Sequence, residues 1–306
     1  MNPEALEGSW PRRARIADRT ATAVLWTLAC LVPLATLLLG GYILVHGLQA
    51  IDVRFLTSPS SNVEAGGGIA SQVFDTFYLL LLSMSVTIPT AIGAALYVVE
   101  YSESGWIRYL VDLASETLSS LPSIIAGLFG LWLFVTAMGW GYTMLAGAMT
   151  LVVVNLPVAF RVAEEAITSV PRDLREASFS LGATKGQTIM KVVLPTALPR
   201  MVTGFIMTGG RVLGEAAALI YTAGMSAPPL DWSDLNPTHF RSPLSPLRPA
   251  ETLAVHIWRV NSESLLPDVR RVADGSALVL LAVVVAVNLC AKWVGSRLRA
   301  RAGYSE

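Results

Sequence analysis

The sequence is poor in charged residues for its length. Only 14% of its 306 residues are Asp, Glu, Lys or Arg, whereas 53% are hydrophobic. Soluble domains carry about 25% charged residues, so this shortage excludes an ordinary soluble domain and places the chain among membrane proteins. The formal net charge is zero, which gives no support to a nucleic-acid-binding function.

The chain also lacks the residues that metal centres and disulfide frameworks need. Its two cysteines, Cys30 and Cys290, lie within apolar stretches, where a cysteine usually acts as a small hydrophobic side chain. The three histidines are scattered and form no metal-ligand pattern. We therefore predict no metal site and no cofactor bound by this chain.

Catalytic motifs are absent as well. The sequence contains no Gly-x-x-x-x-Gly-Lys-Ser/Thr loop for the phosphates of ATP, so an ATPase that drives this chain must be a separate protein. A membrane-embedded enzyme is disfavoured because no paired intramembrane Asp residues, Gly-x-Ser-x-Gly or His-Glu-x-x-His occur in the spans. We predict no catalytic residues.

Long apolar segments are what the chain has in abundance. A helix needs about 20 predominantly apolar residues to cross a bilayer. Six segments meet or approach this length: 21–48, 71–99, 118–138, 142–164, 196–224 and 275–296. The first is too long for the apolar region of a signal peptide, so we interpret it as a retained span. The sequence therefore predicts an all-α integral membrane protein with six transmembrane helices.

The distribution of Lys and Arg predicts the orientation of these spans. Most basic residues fall on one side if the N-terminus is cytoplasmic, and basic loops stay in the cytoplasm, so both termini are predicted inside. Residues 1–20 and 297–306 are then short cytoplasmic segments. Residues 225–274 form a Pro-rich outer loop. Within it, the amphipathic piece 251-ETLAVHIWRV-260 lies on the outer surface or plugs the mouth of a path, and the alternative is a plain solvated loop.

A polar segment separates the fourth and fifth predicted spans. The stretch 171-PRDLREASFSLG-182 repeats small and apolar residues at helical spacing. These residues are Leu174, Ala177, Ser178 and Leu181. Gly182 is typical of a helix end, and Thr184 with Gln187 has the spacing of a capping box that starts a second short helix. From this pattern alone, the segment is either a surface connector or a knob that fits a cleft in a partner.

The same segment resembles the E-A-A-x3-G-x9-I-x-L-P signature of bacterial ABC importer permeases. Glu176-Ala177-Ser178 is followed after three residues by Gly182, and after nine more by Val192-Val193-Leu194-Pro195. Ser replaces the second Ala, and Val replaces Ile. In that family the segment forms a coupling helix that sits in a groove of the ATPase subunit.

This resemblance implies a type I ABC importer permease fold with a cytoplasmic coupling helix at about residues 171–190, called here the coupling segment. Residues 21–64 would hold the first transmembrane helix and its outer loop, and residues 65–296 the permease core. The residues that the resemblance assigns to ATPase coupling are Glu176, Ala177, Ser178, Leu181, Gly182, Ala183, Leu194 and Pro195.

Two charges in the fifth predicted span indicate what passes through the membrane. Arg211 and Glu215 are four residues apart and would share one face of a continuous helix. Charges in a span are costly unless they are functional or tightly paired, so the pair is either a structural ion pair or part of a path. Arginine suits an oxyanion because its planar fork donates paired hydrogen bonds. Phosphate, sulfate, molybdate and carboxylates all fit this chemistry.

Four stretches resemble PstA-type permeases of phosphate-specific transport. They are 93-GAALYVVEY-101, 116-ETLSSLPSIIAGLFG-130, 155-NLPVAFRVAEEAI-167 and 211-RVLGE-215. The resemblance implies import of inorganic phosphate. It departs after Glu215, where Ala216 and Ala218 replace the family's Thr and Pro. A permease for phosphonate, sulfate or molybdate is therefore the alternative, and a passive channel or scaffold is a rival of another class.

Besides Arg211 and Glu215, two residues are predicted to lie along the substrate path. Arg161, near the cytoplasmic end of the fourth span, either contacts the anion at a gate or forms an interfacial ion pair. Ser123 either lines the path or hydrogen-bonds its own backbone at the Pro122 turn.

The resemblance also implies partners and a location. The partners would be a homologous second permease in a heterodimer, an ATPase dimer that binds ATP and magnesium, a phosphate-binding protein on the outer face, and membrane lipid. The location would be the bacterial cytoplasmic (inner) membrane.

Overall fold

The computed structural model describes residues 12–61, 65–102, 105–263 and 267–301, and every regular element in these ranges is helical. The first eleven residues of the predicted N-terminal segment and the last five of the predicted tail lie outside the described residues. The predicted all-α class is confirmed.

Twelve α-helices follow one another in the described ranges. They are α1 (Arg12–Ala50), α2 (Val53–Thr57), α3 (Ala70–Leu96), α4 (Gly105–Ser120), α5 (Ser123–Gly130), α6 (Met144–Thr168), α7 (Arg172–Ser180), α8 (Lys185–Thr188), α9 (Leu194–Leu213), α10 (Ala217–Ile220), α11 (Leu253–Glu263) and α12 (Val269–Arg301). π-helical turns extend α3 over Tyr97–Tyr101 and α5 over Leu131–Ala137, and join α8 to α9 over Ile189–Val193.

Within the described ranges, five helical segments are long and apolar enough to cross a membrane. They are Ile16–Ala50, Ala70–Tyr101, Met144–Thr168, Lys185–Leu213 and Val269–Leu298. The helix pair from Gly105 to Ala137 supplies a sixth crossing when it is counted as one span, but it is bent by 100°.

The third predicted span is therefore wrong as a continuous helix over 118–138. α4 ends at Ser120 and α5 begins at Ser123, with Pro122 in an extended conformation between them (φ −58°, ψ 138°). Proline has no N–H for the helical ladder and disfavours helical backbone in the preceding residue. The chain therefore breaks at Leu121–Pro122 instead of passing straight through.

α6 forms the centre of the bundle and packs against α3 and α9. Small residues make this close packing possible in the absence of a strong hydrophobic driving force within lipid. The small residues of α6 that are buried in this packing include Ala159, Ala163 and Ala166. On α9, a Cβ atom at Gly204 would lie 2.3 Å from Cγ1 of Val162, so α9 could not approach α6 this closely with a larger residue.

α1 lies at the edge of the bundle and packs along α12. The contact is close at Gly47, where a Cβ would lie 2.6 Å from Cβ of Leu278. No residue in the most apolar window of α1 is buried by the chain itself. The outward surface of α1 must therefore be covered by lipid or by another subunit.

The outer loop is more ordered than a solvated connection. Residues 253–256 of α11 are buried, and α11 packs against α12 and α3. The solvated-loop alternative for 251–260 is therefore wrong. α12 begins at Val269, six residues before the predicted start of the last span.

Candidate functional site

The coupling segment folds as two short helices joined at a glycine, as predicted. α7 ends in a Schellman motif, in which the Ala183 N–H donates to the Ser178 carbonyl at 3.2 Å and the Gly182 N–H donates to the Phe179 carbonyl at 2.9 Å. Gly182 has φ +80°, which favours glycine. The next residue in this turn, Ala183, is half-buried.

The start of the second helix is also confirmed. The Gln187 N–H donates to Oγ1 of Thr184, and the Thr184 N–H donates to Oε1 of Gln187, which completes the capping box. The hydroxyls of Ser178 and Thr188 are 2.8 Å apart, so α7 and α8 are linked side by side.

Most of the predicted coupling residues on α7 are accessible to a partner. Glu176 and Ala177 are exposed, and Leu181 at the turn is 90% exposed, which is unusual for a leucine without a partner. After the π-helical turn, Pro195 is exposed in the first turn of α9, whereas Leu194 packs against the core cluster. Leu194 therefore anchors the segment to the bundle.

Arg161 lies within a cluster of charged side chains between α4 and α6. Its guanidinium is 3.1 Å from Asp112, 3.8 Å from Glu116 and 3.4 Å from Glu164. Arg108 also pairs with Glu164, at 2.9 Å. The geometry therefore matches the ion-pair alternative for Arg161.

The partners of Arg161 on α4 were not among the predicted site residues. The spacing of Arg108, Asp112 and Glu116, each four residues apart, places them on one helix face and was available in the sequence. Glu165, in contrast, turns away and pairs with Arg200 at 3.4 Å.

Arg211 and Glu215 do not share a helix face, so that expectation is wrong. α9 ends at Leu213 with Gly214 as its C-cap, and Glu215 lies beyond the break. Oε1 of Glu215 accepts a hydrogen bond from the Ala218 N–H at 3.3 Å, at the start of α10. The Arg211 side chain is exposed, and within the described residues its guanidinium has no hydrogen bond or ion pair.

The break after Leu213 brings the Glu215 segment against α5. A Cβ atom at Gly127 of α5 would lie 2.8 Å from Cα of Ala218 in α10. Ser123, at the start of the same α5, is half-buried, and in the described chain its hydroxyl has no hydrogen bond, including to its own backbone. Glu215 and Ser123 thus belong to two packed elements, whereas Arg161 lies toward the coupling-segment end of α6.

The chain matches a known family over most of its length. The model of the binding-protein-dependent transport system inner membrane component matches residues 87–304. The chain belongs to this family of ABC importer permeases. A permease subunit of this kind is not itself catalytic.

Two relatives cover nearly the whole permease. The probable ABC transporter permease protein YqgI of Bacillus subtilis (strain 168) is 44% identical over 284 residues, which cover 93% of this chain and 97% of that protein. The phosphate transport system permease protein PstA 1 of Mycobacterium tuberculosis (strain CDC 1551 / Oshkosh) is 30% identical over 296 residues. These residues cover 94% of this chain and 92% of that protein. The resemblance to PstA-type permeases is thereby confirmed.

A solved structure shares the fold. The permease superposes on a chain of a bacterial ABC transporter involved in the import of the acidic polysaccharide alginate, with a TM-score of 0.62 at 16% identity. The match covers 92% of the permease and 99% of that chain. The predicted type I ABC importer permease fold is confirmed.

A buried charged network at the end of the bundle opposite the coupling segment was missed by sequence reasoning. Arg248 of the outer loop pairs with Asp75 of α3 at 2.5 Å, and both side chains are 0% exposed. Glu251 accepts a hydrogen bond from Gln72 at 2.9 Å and pairs with Arg259. Asp75 was detectable as a charge in a predicted span, but nothing in the sequence marks Arg248 as its partner, 173 residues away.

Replacing Arg248 with methionine is expected to destabilise the permease by about 3–5 kcal/mol, because Asp75 would remain buried and unpaired. Thermal unfolding in detergent measures this loss. The double variant Asp75→Leu/Arg248→Met should recover much of the stability, since both charges are removed. Arg241→Ala, at an exposed position in the same loop, is the control. Unchanged stability of Arg248→Met would contradict a pairing role.

Proposed function

We propose that the permease forms the membrane path of an ATP-driven importer for inorganic phosphate. The observation that carries this proposal is Arg211, an exposed guanidinium with no hydrogen bond or ion pair among the described residues, in the last turn of a membrane-spanning helix. A charge placed there is costly in contact with lipid, and it is tolerated where it faces a water-filled path, a substrate or a second subunit.

The surroundings of Arg211 suit an anion that binds weakly enough to be released along the path. The helix ends three residues later, at Gly214, so an unbroken helix does not line this part of the path. One oxygen of Glu215 is occupied by the Ala218 N–H. The other can accept a hydrogen bond from a protonated oxyanion, which phosphate is at neutral pH and sulfate is not. The carboxylate of Glu215, four residues after Arg211 in the sequence, repels an anion and so keeps its binding from becoming too tight.

The relatives support phosphate as the substrate. Several proteins of 30–33% identity are named phosphate transport system permease proteins PstA or a homologue of PstA. The alternative is another tetrahedral oxyanion, which is favoured by Ala216 and Ala218 at the positions where PstA-type permeases usually have Thr and Pro.

The same proposal includes the assembly. The exposed side chains of Glu176, Ala177 and Leu181 in the coupling segment fit the groove of a separate ATPase, which binds ATP and magnesium. The uncovered surfaces of α1 and Arg211 face lipid and a homologous second permease, and a phosphate-binding protein docks on the outer face. We place the permease in the bacterial cytoplasmic membrane with both termini inside.

The test is ATP-dependent uptake of labelled phosphate into proteoliposomes that hold the permease with its co-purified partners. Competition by arsenate, but not by sulfate, molybdate or phosphonate, is the expected result. ATP-dependent uptake of a different anion would support the importer assignment and overturn the assignment of phosphate as the substrate. Absence of any co-purifying ATPase would favour a channel or scaffold.

A further inference from the structure

Arg175 makes the most extensive polar contacts of any coupling-segment residue in the described chain. Its Nε and Nη2 donate to Oε1 of Glu100 at 3.2 and 3.0 Å, in the π-helical turn at the C-terminal end of α3. Nη1 donates to the Val170 carbonyl at 2.6 Å, and Nη2 also donates to the Ile167 carbonyl at 2.9 Å, at the end of α6. One side chain thus connects α7 to two membrane helices.

Apolar packing holds α7 only weakly in the permease. None of its nine residues is buried. A cleft of about 400 Å³, lined in part by Val99, Arg108 and Thr168, separates α7 from the bundle next to the ion pair. Among the described residues, the side-chain hydrogen bonds and ion pairs that join α7 to other elements are those of Arg175 and the hydroxyl contact of Ser178 with Thr188.

The ion pair of Arg175 and Glu100 is largely shielded from solvent, and this favours one fixed geometry. The side chains of Arg175 and Glu100 are 16% and 11% exposed, unlike the surface pair of Arg200 with Glu165. A guanidinium that donates to a carboxylate and to two helix-terminal carbonyls has a fixed orientation. Rigid transmission requires such fixed contacts between discrete elements.

We propose that Arg175 and Glu100 form the link through which displacement of the coupling segment reaches α3 and α6. In this view Glu176, Ala177 and Leu181 hold the ATPase, while Arg175 carries its motion into the membrane. Arg175 is a positioning residue and touches neither substrate nor ATP. The inference rests on the proposed coupling to an ATPase but not on the identity of the transported anion.

The test uses the complete importer in proteoliposomes and measures ATP hydrolysed per anion imported, together with recovery of the ATPase in the purified complex. In Arg175→Ala and in Glu100→Gln we expect normal ATPase recovery, continued ATP hydrolysis and a tenfold or greater fall in uptake. Arg200→Ala is the matched control, because Arg200 lies outside the coupling segment and loses only an exposed ion pair with Glu165.

Replacing the ion pair with a covalent crosslink tests whether the pair transmits motion or only stabilises the fold. Arg175→Cys/Glu100→Cys, in a background with Cys30→Ser and Cys290→Ser, should be uncoupled when reduced. A cleavable bismaleimide across the pair should restore at least a third of the uptake, and cleavage should remove it again.

Three results would overturn the proposal: loss of the ATPase from the purified Arg175 variant, an unchanged ratio of ATP to anion, or no recovery on crosslinking. A failure of the phosphate assignment shows instead in the unmodified importer, which would hydrolyse ATP without importing phosphate. The link is then tested with the anion that the unmodified importer takes up.

Discussion

Phosphate uptake by Arg211→Ala is expected to fall about 30-fold or more, with the importer still assembled. A hydrogen bond between a charged donor and a charged acceptor contributes about 1.5–3 kcal/mol, and a loss of about 2 kcal/mol corresponds to roughly 30-fold in rate. The loss should appear in uptake and leave thermal stability nearly unchanged, because the guanidinium forms no hydrogen bond or ion pair within the part of the chain that the structure describes. Uptake and thermal unfolding of the purified complex are the two measurements.

Two further variants separate charge from geometry at this position. Arg211→Lys keeps the charge but loses the planar fork, so we expect partial uptake if the arginine binds the anion through paired hydrogen bonds. Arg200→Ala is the matched control, since Arg200 lies eleven residues before Arg211 on the same helix and forms only an exposed ion pair at 3.4 Å. Its uptake should stay within about twofold of the unmodified importer, as surface pairs contribute little.

The opposite result would assign Arg211 a structural role. Loss of the second permease from the purified Arg211→Ala complex would mean that the guanidinium binds a group of that subunit. Normal uptake with normal assembly would exclude Arg211 from both roles, and would direct attention to Ser123 and Glu215 on the adjoining elements.

Local signals in the sequence were sufficient for the coupling segment. The helix end at Gly182 and the start at Thr184 each depend on residues within five positions, and both formed as predicted. Apolar length likewise located the five long spans, because the bilayer thickness fixes the number of apolar residues that a helix needs.

The two errors in helix continuity have one physical origin. Apolar composition measures how well a segment partitions into lipid but does not report whether its backbone is continuous. Pro122 interrupts the third predicted span and Gly214 the fifth, and both lie within otherwise apolar stretches. Breaks at membrane depth are tolerated where neighbouring protein covers them, as α5 and α10 do for each other.

The ion pairs that organise the permease could not be predicted from spacing. Arg248 and Asp75 are 173 residues apart, and Arg175 and Glu100 are 75 apart. Asp75 alone is recognisable as a charge within a predicted span, but nothing in the sequence identifies the partner of any of these four residues. Only the packing of α3 against the rest of the bundle brings them together, and that packing depends on the whole sequence.

Gly182→Val is expected to uncouple ATP hydrolysis from uptake without unfolding the spans. A β-branched residue at φ +80° costs about 1–2 kcal/mol, although there is open space around the position for a side chain. The strain is relieved most easily by opening the Schellman turn. This displaces Leu181, the exposed side chain expected to enter the ATPase groove. We expect uptake to fall at least tenfold while thermal unfolding of the membrane helices shifts little.

Gly186→Val is the matched control for this change, because Gly186 is exposed in α8, has open space around it and has ordinary helical backbone. Gly182→Asn separates strain from bulk, since asparagine tolerates left-handed backbone better than valine. If strain is decisive, the asparagine variant retains much more uptake than the valine variant. If the ATPase groove excludes any side chain at position 182, both Gly182 variants lose uptake and Gly186→Val retains it. Normal coupling in Gly182→Val would contradict the assignment of residues 171–190 as the coupling segment, whatever anion the permease carries.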